Sequence, residues 1–158
     1  MSIEKAKAHL DLFGLSDRIQ EFTVSSATVA LAAEALGTEE ERIAKTLSFD
    51  LDGNAILIVA AGNRKVDNQK FKARFGKKAK MLSAPEVEEK IGHAVGGVCP
   101  FGINEGVPVY LDLSLKKYET VFPACGSSNS AIELTLPELE KASGYTDWVD
   151  VSKVPEVI

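Results

Sequence analysis

The side chains able to do covalent or acid–base chemistry are few in this 158-residue chain. The thiols are Cys99 and Cys125, and the imidazoles are His9 and His93. His93 precedes Cys99 across a glycine-rich stretch, so an imidazole base and a thiolate nucleophile are one arrangement the order allows. The plainer reading is a small apolar thiol and a histidine near a helix C-terminus. Cys125 reads as core, and His9 lies on the first helix away from other signals. Lys45, beside Ala44 and close to Leu47, reads from its surroundings alone as a snorkelling cation. No nucleophile elbow, Walker loop, HExxH zinc motif or dinucleotide fingerprint is present, and the cysteines lack zinc-site spacing. The most informative feature is the loop Gly96-Gly97-Val98-Cys99-Pro100-Phe101-Gly102. Adjacent glycines let backbone approach a ligand, a proline stiffens the loop, and its amides could hold a carbonyl or a developing oxyanion.

The elements that must position these residues follow from periodicity and punctuation. A helix is expected from Ser2, as N-cap, to Phe13, with Ile3, Ala6, Leu10 and Phe13 on one face and Gly14 as its stop. A short strand over 19–23 precedes a helix over 28–36, with Ser25 and Ser26 as cap candidates and Gly37 as terminator. A short helix over 39–44 leads into a hairpin of 45–50 and 55–60 around Asp52-Gly53 or Gly53-Asn54, with Lys45 where helix gives way to strand. Asp67 can cap a basic helix running to Phe75 and ending at Gly76. A short strand over 79–82 precedes the capping box Ser83-Ala84-Pro85-Glu86, whose helix Gly92 closes. Strands are expected over 107–113, 120–124 and 131–134, the last two joined by the turn Gly126 to Asn129. Thr135-Leu136-Pro137-Glu138 is a second capping box, for a helix ending near Gly144. Helices interspersed with hairpin-like strands argue for one domain over 1–158, of α+β class, with a mixed, largely antiparallel sheet.

Composition bounds the possibilities further. With 45% hydrophobic and 26% charged residues the chain has the balance of a globular protein. Its longest apolar run, Ala55 to Ala61, is too short to span a bilayer, and no signal-peptide pattern opens the sequence, so a cytoplasmic location is expected. Two cysteines make no disulfide framework. The net charge of −5 hides an asymmetry: residues 64–80 hold eight basic side chains against Asp67 alone, so that segment carries +7 and the rest −12. Such a segment is either a solvated face or an anion-facing surface.

Four segments, in order, resemble the YbaK / prolyl-tRNA synthetase-associated editing domain family. They are Thr28 to Gly37, Arg42-Ile43-Ala44-Lys45-Thr46-Leu47, Gly96 to Gly102, and Ala124-Cys125-Gly126-Ser127 with Ile132-Glu133-Leu134. The resemblance implies a trans-editing enzyme that hydrolyses the ester of mischarged aminoacyl-tRNA, without metal or cofactor, relying on substrate positioning rather than a protein nucleophile. It implies that Lys45 engages a phosphate near the tRNA 3′ end. Gly96, Gly97 and Pro100 would belong to a GxxxP motif whose amides hold the aminoacyl carbonyl. Phe22, Thr28, Phe101, Gly102, Gly126, Ser127 and Asn129 would wall the amino-acid pocket, and Lys70, Lys72, Arg74, Lys77 and Lys78 would face the acceptor stem. Mischarged tRNA, and in turn a tRNA synthetase, would be the partners. No histidine follows the glycine loop, where prolyl-synthetase editing domains carry one, and Cys99 stands where many relatives have a small residue. A non-catalytic module sensing an amino acid or tRNA end, and a thiol-dependent esterase built on Cys99, are the competing readings.

Overall fold

The computed structural model describes residues 2–155. In chain order the elements are α1 (Ser2–Asp11), β1 (Gln20–Glu21), α2 (Val29–Leu36), β2 (Ile43–Leu51), β3 (Asn54–Ala61), β4 (Lys65–Val66), α3 (Asn68–Phe75) and α4 (Ala84–Ile91). They continue as β5 (Val109–Asp112), β6 (Thr120–Pro123), β7 (Ser130–Ala131), β8 (Leu134–Thr135), α5 (Leu136–Ser143), β9 (Asp147–Val149) and β10 (Ser152–Lys153). A six-stranded sheet runs β8-β6-β2-β3-β5-β9, with two-stranded sheets β1-β7 and β10-β4 beside it. The fold is α+β with a mixed sheet, as expected. Its longest ladder, β2 with β3, and both small sheets are antiparallel, whereas β2–β6, β3–β5 and β5–β9 are parallel.

The central hairpin forms because Asp52 (φ 51°) and Gly53 (φ 87°) supply the two left-handed conformations of a tight turn. That turn sets the register Leu51↔Asn54 through Ala44↔Ala61 and so places Lys45 opposite Ala60. A slip of one residue would send Lys45 to the other face of the sheet. Alternation along β3 gives the two faces separate cores. Ala55, Leu57 and Val59 pack with α4, α5 and the glycine loop, while Ile56 and Ile58 pack with Phe49 and with Phe71 of α3. Asp67 caps α3 by accepting from Gln69 and Lys70 N–H, and both expected capping boxes, at Ser83 and Thr135, are complete.

Several boundaries differ from expectation. Residues 39–44 do not form a helix. A 3-10 turn covers Glu40–Arg42, and Ile43 and Ala44 begin β2, drawn into the sheet by their parallel partners Phe122 and Pro123. Thr28, not Ser25 or Ser26, caps α2, its hydroxyl accepting from the Leu31 N–H at 3.2 Å, while the Ser26 N–H donates to the Ser128 carbonyl at 2.6 Å. Helix α1 ends at Asp11 and unwinds through Gly14, leaving Phe13 37% exposed. Ser2 is its first helical residue, and the capping role expected of that side chain lies outside the described structure. Residues 79–82 contribute a single bridge, Phe49↔Met81. The strand expected over 131–134 is divided at Ile132 between β7, which pairs with β1, and β8, which pairs with β6. Strands β4, β9 and β10 carried no sequence signal of their own and exist through long-range pairing.

Candidate active site

A cavity of about 410 Å³ opens beside β2. Its walls come from the start of α2 with the segment before it (Ser26 to Val29), from β2 (Ile43 to Ser48), from Met81, Leu82 and α4, and from Val95, Gly96 and Val98 of the glycine loop. Phe122, Ala124, Ser130 and Ala131 close the far side. The lining is mostly apolar, and Lys45 is its one charged residue among the described residues.

Lys45 comes from the third position of β2, not from a helix–strand junction. Its ammonium donates to the Gly62 carbonyl at 3.4 Å and to the Arg64 carbonyl. Among the described residues no carboxylate lies within ion-pair distance. Burial without a counter-charge favours the neutral amine, and the Lys45 pKa is lowered accordingly. Gly62 is required where it stands, since a Cβ there would lie 2.3 Å from the Glu40 carbonyl oxygen and 2.6 Å from Val29 Cγ1. Sequence reading missed Gly62 and Arg64, whose contribution is a backbone carbonyl that leaves no pattern in residue types.

The glycine loop divides in two. Its first half meets the cavity: Gly96, at φ 96°, packs against Ala27, and neither the Gly96 nor the Val98 N–H has an acceptor among the described residues. Gly97 does not line the cavity, and its N–H donates to the Ala94 carbonyl at 3.1 Å. That corrects its expected role as an oxyanion donor, because the donor is already used inside the loop. Gly97 instead lets the loop touch the backbone of Gly126 and Ser127, where a Cβ would sit 2.7 Å away. The second half faces inward: Pro100 and Phe101 are buried, Phe101 in the main core, and Gly102 packs against the Lys5 carbonyl of α1. These three are therefore supports of the site and not walls of it.

Of the other expected pocket residues, Thr28 lines the cavity, whereas Phe22, Gly126, Ser127 and Asn129 stand behind its wall. Asn129 bonds both backbone groups of Phe22, at 2.7 and 2.9 Å, and Ser128 holds Ser26. Together they clip the 22–28 segment in place. Thr46 was not singled out from sequence, yet it lines the cavity and its Oγ1 is buried without a hydrogen-bond partner among the described residues.

The sequence profile of the aminoacyl-tRNA editing domain matches residues 23–142, a span that contains every wall of this cavity. The chain belongs to the aminoacyl-tRNA editing domain family. It is 53% identical over 154 residues to the uncharacterized protein YwhH of Bacillus subtilis, covering 97% of this chain and 98% of that one. It is 32% identical over 109 residues to a proline–tRNA ligase of Shouchella clausii, a match covering 68% of this chain but only 19% of the ligase. Among solved structures, a candidate trans-editing enzyme for prolyl tRNA synthetase superposes with a TM-score of 0.86 at 30% identity, covering 96% of this chain and 97% of that one.

The basic segment of this editing domain lies outside the cavity. Within it Lys70 pairs with Asp150, Arg74 with Asp147, Lys77 with Asp52 and Lys80 with Asp50. Lys72 and Lys78 have no ion-pair partner among the described residues. The segment is nonetheless on the same side of the sheet as Lys45. Lys45, Leu47 and Phe49 alternate onto one face of β2, and Phe71 of α3 packs on Phe49 with ring centroids 5.0 Å apart. Phe71 of α3 thus packs about 13 Å along the strand from Lys45.

Cys99 is fully buried, its Sγ 3.5 Å from the Phe101 carbonyl, and burial pushes the thiol up to about 12. His93 Nε2 is occupied in donating to the same carbonyl at 2.6 Å, and burial lowers its pKa. Neither group is poised for thiolate chemistry. Both Cys99 and Cys125, which is also buried, should resist a disulfide thiol reagent in the native protein and titrate only after unfolding. Rapid native-state labelling of Cys99 would revive the thiol-esterase reading.

Proposed function

We propose that this editing domain is an aminoacyl-tRNA deacylase that hydrolyses the ester of mischarged tRNA. The observation that supports this most directly is the pairing of a half-buried ammonium, Lys45, which has no carboxylate partner among the described residues, with the open amides of Gly96 and Val98 in one apolar cavity. An ammonium in a low-dielectric wall attracts a phosphate or a developing oxyanion more strongly than it would in water. Water attacks the ester carbonyl carbon, the bond to the terminal ribose oxygen breaks, and that oxygen takes the proton the water gives up. The products are the free amino acid and an intact tRNA 3′ end. Among the described residues no histidine, cysteine or carboxylate lines the cavity. The chain therefore contributes position and charge stabilisation, with the vicinal ribose hydroxyl as the nearest available proton carrier. The synthetase that produces the mischarged tRNA is then its functional partner, and Lys72 and Lys78, which have no ion-pair partner among the described residues, are cations available to the acceptor stem.

A panel of mischarged tRNAs tests this reading by deacylation above the spontaneous rate. Hydrolysis of at least one aminoacyl–tRNA pair is expected, and binding without turnover across the panel would favour a sensing module. Because burial lowers the Lys45 pKa, its proton leaves at lower pH than that of an exposed lysine. The rate, corrected for spontaneous hydrolysis, should therefore fall with rising pH before the ordinary lysine range near ~10.4 is reached. A rate that rises through that interval as spontaneous hydrolysis does would remove the ammonium from the mechanism. Reversing the charge at two cations without an ion pair, Lys72→Glu with Lys78→Glu, should weaken tRNA binding and flatten its salt dependence by about two units of slope. An unchanged salt slope would move the tRNA to another surface.

A further inference from the structure

The cavity contains a bare stretch of strand edge. Strand β6 covers β2 only at Ile43 and Ala44. Cover resumes at Ser48, whose carbonyl accepts from Leu82 N–H at 3.2 Å, and at Asp50, whose N–H donates to the Lys80 carbonyl at 2.8 Å. Those two bonds establish the alternation. In an antiparallel pair, successive residues turn their backbone groups alternately toward and away from the partner strand. Since Ser48 and Asp50 turn away from β3, Thr46 does so as well. Its N–H and C=O point out of the sheet edge beside the cavity it lines, and neither has a partner among the described residues. The gap from Ala44 to Ser48 measures about 14 Å, room for one residue of extended chain and its flanks.

A strand edge bare over one residue is a template for one residue-like unit. Resting on the deacylase reading, we infer that the aminoacyl group docks on this edge as a one-residue strand. Its α-ammonium donates to the Thr46 carbonyl, and its ester carbonyl accepts from the Thr46 N–H. An aminoacyl ester presents a donor and an acceptor on either side of Cα, as a peptide residue does, and so matches the two-bond exchange of an antiparallel pair. The α-ammonium finds its acceptors in backbone and hydroxyl oxygens, because no carboxylate among the described residues lines the cavity. Lys45, on the neighbouring position, is drawn to the Gly62 and Arg64 carbonyls, which keeps the two cations on separate acceptors. The substrate class is thereby narrowed to esters with a free α-amino group. N-blocked esters, peptidyl-tRNA among them, are disfavoured because the charged donor becomes a neutral amide N–H.

The test changes the substrate and leaves the fold intact. Alanyl-, seryl- and valyl-tRNA are each prepared in three forms: free, N-acetylated, and with the α-amino group converted to hydroxyl. Rates are expressed relative to the spontaneous hydrolysis of the same ester. Both altered forms should lose about tenfold or more in kcat/KM, as expected for a hydrogen bond from a charged donor. If the N-acetyl form fails while the isosteric α-hydroxyacyl form is hydrolysed within about threefold of the free ester, exclusion is steric and the inference is overturned. Retention of activity on the N-acetyl form overturns it equally. If none of the free esters is hydrolysed, the deacylase reading fails for these substrates, and competition binding decides the docking mode. About tenfold preference for the free ester over both altered forms supports it, and equal binding overturns it.

Discussion

Replacing Lys45 with methionine is expected to slow deacylation by about 10²- to 10³-fold, the loss typical of removing one charge-stabilising donor from a water-poor site. The stem of the side chain keeps its volume, so the cavity wall is retained while the charge is removed. Stability should change little, within about 1 kcal/mol, because two effects oppose each other. Removing a half-buried ammonium that has no carboxylate partner among the described residues relieves a desolvation cost, whereas the carbonyls of Gly62 and Arg64 lose their donor. Single-turnover hydrolysis of a mischarged tRNA together with thermal unfolding separates the two readouts. A methionine variant that keeps its rate within threefold would refute the electrostatic role, and one that loses both rate and fold would mark Lys45 as structural. The conservative Lys45→Arg change should recover part of the rate, since it keeps the cation but presents a planar fork to a site shaped for a compact ammonium.

The change Gly97→Ala is expected to destabilise the protein by about 2–3 kcal/mol, the upper part of the range for overpacking a close contact. The added methyl group would stand 2.7 Å from Gly126 C and Ser127 N and 2.8 Å from the Gly126 carbonyl oxygen, all of them backbone atoms with no rotamer to yield. A fall of several degrees in the thermal midpoint corresponds to that range for a chain of this size, roughly 2–4 °C per kcal/mol. Activity should fall as well, because the turn that must retreat carries Ser128, which holds Ser26 in the cavity wall. Gly106→Ala is the control. No atom lies within 4 Å of that Cβ, so only its left-handed backbone, φ 85°, is strained, at about 1–2 kcal/mol. If Gly97→Ala melts no lower than Gly106→Ala, the two loops are not wedged together as described.

Features written in neighbouring residues were legible from the chain itself. Asp-Gly at 52–53 makes the hairpin turn, Asp67, Ser83 and Thr135 cap their helices, and Gly37, Gly76, Gly92 and Gly144 end theirs in the left-handed conformation. Each is a local backbone requirement met by one residue type, so a short window of sequence contains all the information. The four segments that resemble the editing family fall on α2, β2, the glycine loop and the 124–134 turn, which are the pieces that surround the cavity. Lys45 and Gly96 were identified in this way, and the structure brings them to one site.

The sequence alone could not determine which side of a wall a residue occupies. Gly97 and Gly96 are identical neighbours in a glycine pair. Only the packing of two distant loops makes one a support, with its N–H spent on Ala94, and leaves the other open to the cavity. The basic segment counted as +7 in the chain, yet Asp50, Asp52, Asp147 and Asp150 come from elsewhere to neutralise half of its cations. The bare edge at Thr46 exists because β6 leaves β2 after Ala44 and residues 80–82 return only at Ser48. Neighbouring residues determined the central hairpin, the caps at Asp67, Ser83 and Thr135 and the resemblance to the family. Burial, pairing and the gap in the sheet depend on groups far apart in the chain, and only their meeting in three dimensions decides which donors and charges remain free for a substrate.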